Sequence, residues 1–193
     1  MSDCNSNELY LPFFGKESFL SNHHPSPIVI GNEHFFCVEQ FYMVRKARFF
    51  KDQDMEKLFL ESNEAGYIKR MSHRIKNLDE DLWDQQRVSV MCEGLRAKFM
   101  QNQYLEDQLI ATGNQLLVEA SAVDDFWGAG LSKSALKRIP SLQWPGANML
   151  GSLLMALRSR LRANRWSLQK LHRRQGRKAR KAPSLKRLKR LRH

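Results

Sequence analysis

Every acidic residue of this 193-residue chain lies before Leu161, and that partition decides which part of it can collapse onto a core. From Met1 to Leu161 there are 18 Lys and Arg against 20 Asp and Glu, whereas Arg162 to His193 holds 14 Lys and Arg and no acid. The formal net charge of +12 therefore belongs to the end of the chain. A segment so charged and so poor in apolar residues cannot bury enough surface to offset the entropy of ordering it. The folded body is expected over residues 11–161, behind a short N-terminal extension at 1–10. Residues 162–193 are expected to form a basic tail, disordered when free or helical on a polyanion.

The 42% hydrophobic content is enough for one core of ordinary size. No run approaches the roughly eighteen apolar residues of a membrane span, and the start of the chain, with Asp3 and Glu8, lacks the basic-then-apolar order of a secretion signal. An intracellular, cytoplasmic protein without a membrane partner is expected. Its Arg and Lys clusters also resemble nuclear targeting signals, which would matter in a eukaryotic source. Cys4, Cys37 and Cys92 are odd in number and far apart, so neither a disulfide framework nor a paired zinc spacing is expected. His23 and His24 are adjacent, and no His-x-x-x-His falls on an expected helix, so no metal and no cofactor are anticipated.

Ile28-Val29-Ile30 and Phe35-Phe36 flank Gly31-Asn32, which predicts two antiparallel strands around a tight turn. From Val38 the apolar spacing becomes helical and continues to about Phe50. Further helices are expected over Asp54–Leu60, Glu64–Met71, Asp79–Gln101 and Tyr104–Thr112. Asp79, Glu80 and Asp81 suit a helix N-terminus, and Gly113 can end a helix in the left-handed conformation. Leu116-Leu117-Val118 reads as a buried strand. A last helix is expected from about Asn148 to Leu161, with Leu150, Leu153, Leu154, Leu157 and Leu161 on its inner face. The fold class is α+β, predominantly helical with a small antiparallel sheet, in a single domain.

Two segments can carry chemistry. Glu39, Tyr42 and Lys46 are spaced three and four apart, which puts them on one stripe of a helix. A solvated Glu and Lys beside a tyrosine at the edge of the core would show the same spacing. The loop Asp124-Asp125-Phe126-Trp127-Gly128-Ala129-Gly130 mixes acids, an indole and glycines, and Glu119 ends the strand before it. Breaking a glycosidic bond builds positive charge on the sugar, so a carboxylate near the anomeric carbon stabilises the transition state. A planar base needs an aromatic face, which Trp83, Trp127 or Tyr42 could offer.

Several short motifs occur in the order of one family: Phe19-Leu20-Ser21-Asn22, Val38-Glu39-Gln40-Phe41-Tyr42 ending in Lys46-Ala47, and Leu95-Arg96-Ala97-Lys98-Phe99. Thr112-Gly113 with Leu117-Val118-Glu119 follows, then Asp124 to Gly130, then Gly146 to Arg158. Over Leu11 to Leu161 the chain resembles the NADAR (NAD and ADP-ribose) family, the YbiA-like riboflavin-biosynthesis-intermediate N-glycosidases. That resemblance implies a YbiA-like fold and a hydrolase acting on a phosphorylated ribosyl-base or ADP-ribosyl substrate. The bond cut would join ribose to a nitrogen base, as in ribosylamino-pyrimidine intermediates or ADP-ribosylated guanine in DNA.

By the same resemblance Glu39, Asp124 and Lys46 are the catalytic candidates, while Asn22, Tyr42, Trp83, Trp127, Gly128 and Asn148 are the substrate-binding ones. The chain departs from the family in having Gln40 where a histidine is usual, and in a longer segment between Gly130 and Gly146. The tail clusters Arg173, Arg174, Arg177, Lys178, Arg180, Lys181, Lys186, Arg187, Lys189 and Arg190 are candidates for electrostatic, salt-dependent nucleic-acid binding. A rival reading is a module that binds NAD or ADP-ribose without turnover and is docked on nucleic acid by this tail.

Overall fold

The computed structural model describes residues 10–181, with side chains described as far as Lys170 except at Leu168. The chain opens with β1 (Tyr10–Phe13), followed by the hairpin of β2 (Ile28–Ile30) and β3 (Glu33–Phe35). The helices α1 (Val38–Phe49), α2 (Gln53–Glu61), α3 (Ala65–Met71), α4 (Glu80–Met100) and α5 (Gln103–Ala111) come next. Strand β4 (Leu116–Glu119), a short α6 (Lys133–Leu136) and a long α7 (Met149–Lys181) complete it.

Local chemistry explains most of the helix starts. Asp52, Glu64, Asp79, Asn102 and Ser132 each accept a first-turn backbone N–H through the side chain, at the N-caps of α2, α3, α4, α5 and α6. Each such bond satisfies a donor that has no partner within its own helix. Gly113, at φ +63°, ends α5 as its sequence implies.

The hairpin pairs as expected, with Ile28 opposite Phe35 and Ile30 opposite Glu33. A second, parallel pair was not anticipated. Here β1 lies beside β4 with Tyr10 opposite Leu116 and Phe13 opposite Glu119. Pro12 has no N–H for a ladder, so this stretch reads poorly as a strand, and its partner lies about a hundred residues away, beyond the reach of local pattern.

Helix α1 runs through the core, with Val38, Phe41, Val44 and Ala47 almost wholly buried. Helix α4 crosses it at Gly94, where a Cβ would stand 2.9 Å from Val38 Cγ1 and 3.0 Å from Phe41 Cδ1. Arg48 at the end of α1 ties the hairpin to α2 through Glu33 and Glu56.

The compact unit holding these elements ends at Leu157, and a second begins at Arg158. Helix α7 was expected to stop near Leu161 but continues to Lys181. Residues 162–181 are rich in Arg and Lys and contain no proline, the first one after them being Pro183. The apolar stripe ends near Leu161, yet nothing there breaks the helix. Arg173, Arg174, Arg177, Lys178, Arg180 and Lys181 lie on this helix with side chains outside the described residues, and Lys186, Arg187, Lys189 and Arg190 lie outside them altogether.

Candidate active site

A cavity of about 510 Å³ opens between the turn before β2, helices α1, α3 and α4, the end of β4 and the loop that follows it. Glu39, Tyr42 and Lys46 all line it, so the stripe on α1 faces this space and not solvent. Four elements supply carboxylates to the same cavity, namely Glu39 from α1, Glu80 from α4, Glu119 from β4, and Asp124 and Asp125 from the loop.

The turn at Ser21 to His24 is built around Glu39. Glu39 N–H donates to Asn22 O at 3.0 Å, and Asn22 Nδ2 donates back to Glu39 Oε2. His23 Nε2 stands 3.7 Å from the same oxygen. Under the turn, Lys98 Nζ donates to Ser21 O at 2.7 Å from a fully buried position on α4. Burial pushes the Lys98 ammonium down to about 7.

The loop from Asp124 to Gly130 is held as firmly as a secondary-structure element. Asp124 Oδ1 accepts Trp127 N–H at 2.8 Å, while its Oδ2 faces Lys69 Nζ at 3.1 Å. The N–H groups of Asn148, Met149 and Leu150, at the start of α7, donate to Gly128, Phe126 and Trp127 carbonyls at 2.9, 3.0 and 3.1 Å. Helix-terminal donors that would otherwise need water are thus spent on the loop.

Gly128 lies behind this wall. A Cβ there would sit 2.8 Å from Asp124 O and 2.9 Å from Ser121 Cβ, so the position serves close backbone packing. Asn148 is also structural in placement. Its Oδ1 accepts Glu119 N–H at 3.0 Å and its Nδ2 donates to Leu117 O at 2.9 Å. Neither residue lines the cavity, whereas the other candidates on the folded body do.

The aromatic wall differs in detail from expectation. Trp83 and Tyr42 are almost wholly buried, and Trp83 Nε1 donates to the Tyr42 hydroxyl at 2.8 Å. Their rings meet edge to face at 5.3 Å, and Tyr42 meets Trp127 likewise at 5.8 Å. Trp127 is only half-buried, so it is the ring with a face to offer. Lys46 Nζ is held by the exposed Glu80 carboxylate at 2.9 and 3.0 Å.

The electrostatics follow from burial. Burial raises the Glu39 carboxyl above the usual carboxylate range, opposed by the neighbouring His23 and Lys69 side chains. Glu39 Oε1 and Glu119 Oε2 are both buried without a hydrogen-bond partner. For Lys69, burial favours the neutral form but is outweighed by Glu39 and Asp124, which hold the ammonium above its ordinary value.

His23, Lys69 and Arg87 belong to the lining and were not foreseen as site residues. Arg87 lies 3.3 Å above the Phe126 ring and so backs the loop from α4. Gln40, at the position where the family usually has histidine, turns inward. It accepts Phe36 N–H at 2.8 Å and donates to the Phe59 and Ser62 carbonyls at 2.9 and 3.0 Å. The imidazole that faces Glu39 comes from a different part of the chain. Among the described residues no group of three or more His, Cys, Asp or Glu is placed to hold a metal, and no helix is long and apolar enough to cross a membrane.

The chain is similar to several known proteins. Over 124 residues the chain is 38% identical to N-glycosidase R617 of Acanthamoeba polyphaga mimivirus, covering 64% of this chain and 73% of that protein. N-glycosidase Npun_R5314 of Nostoc punctiforme is 32% identical over 145 residues, 74% of this chain and 84% of that one. Riboflavin biosynthesis protein VVA0006 of Vibrio vulnificus is 31% identical over 164 residues, but this chain spans only 41% of its length. The solution structure of the Escherichia coli protein YbiA matches with a TM-score of 0.66 at 26% identity, covering 82% of this chain and 88% of YbiA. The NADAR domain family model matches residues 6–162, and the chain belongs to that family.

Proposed function

We propose that this protein is an N-glycosidase that hydrolyses the bond between a ribose and a nitrogen base. The observation that carries this reading is the buried Glu39 carboxylate. One of its oxygens is held by Asn22 and faced by His23, while the other is unpartnered in a cavity walled by Trp127. A fixed negative charge in a site shielded from water is what an oxocarbenium-like transition state needs. The relatives named N-glycosidases in a virus and a cyanobacterium support the same reaction class.

In this mechanism Glu39 stabilises the positive charge that develops at the anomeric carbon. Asp124, oriented by Trp127 N–H and Lys69, positions the water. Trp127 stacks on the base. Lys46 meets a phosphate or ribose oxygen, which would replace the exposed Glu80 carboxylate now occupying its ammonium group. The substrate is a phosphorylated ribosyl base, with ribosylamino-pyrimidine intermediates of riboflavin synthesis and ADP-ribosylated guanine in DNA as the two forms to compare.

The second form is favoured by the acid-free stretch after Leu161. There α7 continues as a helix, and an exposed Trp166 carries Lys170 Nζ 4.8 Å above its ring. Such a segment would bind a phosphate backbone electrostatically. The decisive experiment incubates the full chain with each substrate and reads the released base by mass. Release from neither would leave a binding module for NAD or ADP-ribose. Glu39→Gln keeps shape and removes charge, so base release should fall by about a hundredfold or more, and an unchanged rate in the folded variant would sink the role given to Glu39.

A further inference from the structure

The mechanism so far leaves the departing base without a proton and leaves Glu119 without a task. Among the cavity carboxylates, Glu39, Asp124 and Glu119 differ in their surroundings. Glu39 has Asn22 Nδ2 and His23 directed at it, and Asp124 has Lys69 Nζ and Trp127 N–H. The Asn22 bond and the neighbouring His23 and Lys69 favour the ionised form of Glu39 against the burial that raises it. Glu119 is 7% exposed, lines the cavity, and has a buried Oε2 that no donor reaches.

Its backbone, by contrast, is pinned on both sides, N–H to Asn148 Oδ1 at 3.0 Å and carbonyl from Ala129 N–H at 2.9 Å. The side chain is thus aimed by a rigid frame and left without a donor of its own. A buried carboxyl in that condition keeps its proton, and a protonated carboxyl is an O–H donor. The charged groups that face it are Lys69 on α3, Asp124 in the loop, Lys133 on α6 and Glu39 on α1. Burial dominates and moves the Glu119 carboxyl up to about 8, with the two lysines opposing and the two acids adding to the rise.

We propose that Glu119 is the general acid of the site, passing its carboxyl proton to the leaving nitrogen as the ribosyl bond breaks. This assignment rests on the N-glycosidase reading above. The electron pair of the C1′–N bond goes to the base nitrogen, which takes the Glu119 proton. The water oxygen then bonds to C1′, and the proton that water releases returns through solvent to the Glu119 carboxylate.

The test uses leaving groups that differ in their need for a proton. A ribosylamino-pyrimidine 5′-phosphate must be protonated as it departs, whereas p-nitrophenyl β-D-ribofuranoside 5′-phosphate releases a phenolate that is stable on its own. Glu119→Gln should lower kcat/KM on the pyrimidine by about 10²–10⁴-fold. That loss should exceed the loss on the nitrophenyl substrate by at least roughly tenfold, the smaller part of a general acid's usual share. Glu39→Gln should lose similar factors on both. Each ratio is measured on one preparation, so the folded fraction cancels.

On the pyrimidine alone, the alkaline fall of the wild-type kcat/KM profile should vanish in Glu119→Gln. Equal losses on the two substrates, or an alkaline limb that persists in the variant, overturn the assignment while leaving the N-glycosidase reading intact. A wild-type chain that does not cleave the pyrimidine substrate or ADP-ribosylated guanine DNA overturns both.

Discussion

Removing the Asn148 carboxamide tests whether the site depends on the clamp that it makes between α7 and β4. Its two bonds, to Glu119 N–H and Leu117 O at 3.0 and 2.9 Å, are both buried. Asn148→Ala leaves that donor and that acceptor without partners, at about 1–3 kcal/mol each. The residue also sits at φ +49°, a left-handed conformation that asparagine accepts more readily than alanine, for which it costs about 1–2 kcal/mol. The expected total for Asn148→Ala is about 3–8 kcal/mol, combining orphaned groups and backbone strain. Asn148→Gly should recover roughly 1 kcal/mol of it, because glycine removes only the strain. Asn148→Asp keeps the acceptor for Glu119 N–H but turns a carboxylate on Leu117 O, and should be no better than alanine. Urea unfolding followed by tryptophan fluorescence reads all three variants. A loss below about 1 kcal/mol for Asn148→Ala, less than one orphaned group, or a glycine variant no more stable than the alanine one, would refute the clamp.

Other perturbations probe the remaining supports. Burial lowers Lys98 from an ordinary value of 10.5 to about 7, so between these values the unfolded chain binds a proton that the folded chain lacks. The contribution of Lys98 therefore makes stability rise with pH above 7 and is least favourable below it. In Lys98→Met that slope is absent, so the variant should lose ground to wild type by about 1 kcal/mol per pH unit from pH 7 to 9; a stability difference independent of pH would contradict this. Gly94→Ala places a methyl at 2.9 Å from Val38 and 3.0 Å from Phe41, and should lower stability by about 1–3 kcal/mol, read as a shift in unfolding midpoint. Deleting residues 162–193 should weaken DNA binding and flatten its salt dependence without abolishing cleavage of a small substrate; equal affinity at matched salt would refute the role of that segment.

The sequence made the helices legible because their ends are written in it. Asp79 caps α4 and Gly113 closes α5, as their residue types imply. Helical spacing also put Glu39, Tyr42 and Lys46 on one face, and that face lines the cavity. What faces Glu39 was not legible. His23 arrives from a turn sixteen residues earlier, and Lys98 supports that turn from a helix that carries no local sign of it. Asn148 and Gly128 stand within motifs of the family resemblance, but the hydrogen bonds of the one and the close packing of the other were not legible there. The parallel pairing of β1 with β4 escaped because the pair closes over most of the folded body. The extent of α7 escaped because an apolar stripe marks where a helix is covered, not where it ends.

The docking of the Asp124–Gly130 loop on the first turn of α7 also bears on how such a site changes over time. The shape of the loop is specified chiefly by main-chain carbonyls, those of Phe126, Trp127 and Gly128, and these are present whatever side chain follows. Asp125, which is exposed, can therefore be exchanged with little disturbance of the backbone, while Asp124, Phe126 beneath Arg87, Gly128 and Asn148 cannot. A loop built in this way can diversify the surface it shows to a ligand while its conformation is inherited unchanged, which leaves substrate preference free to drift on a constant frame.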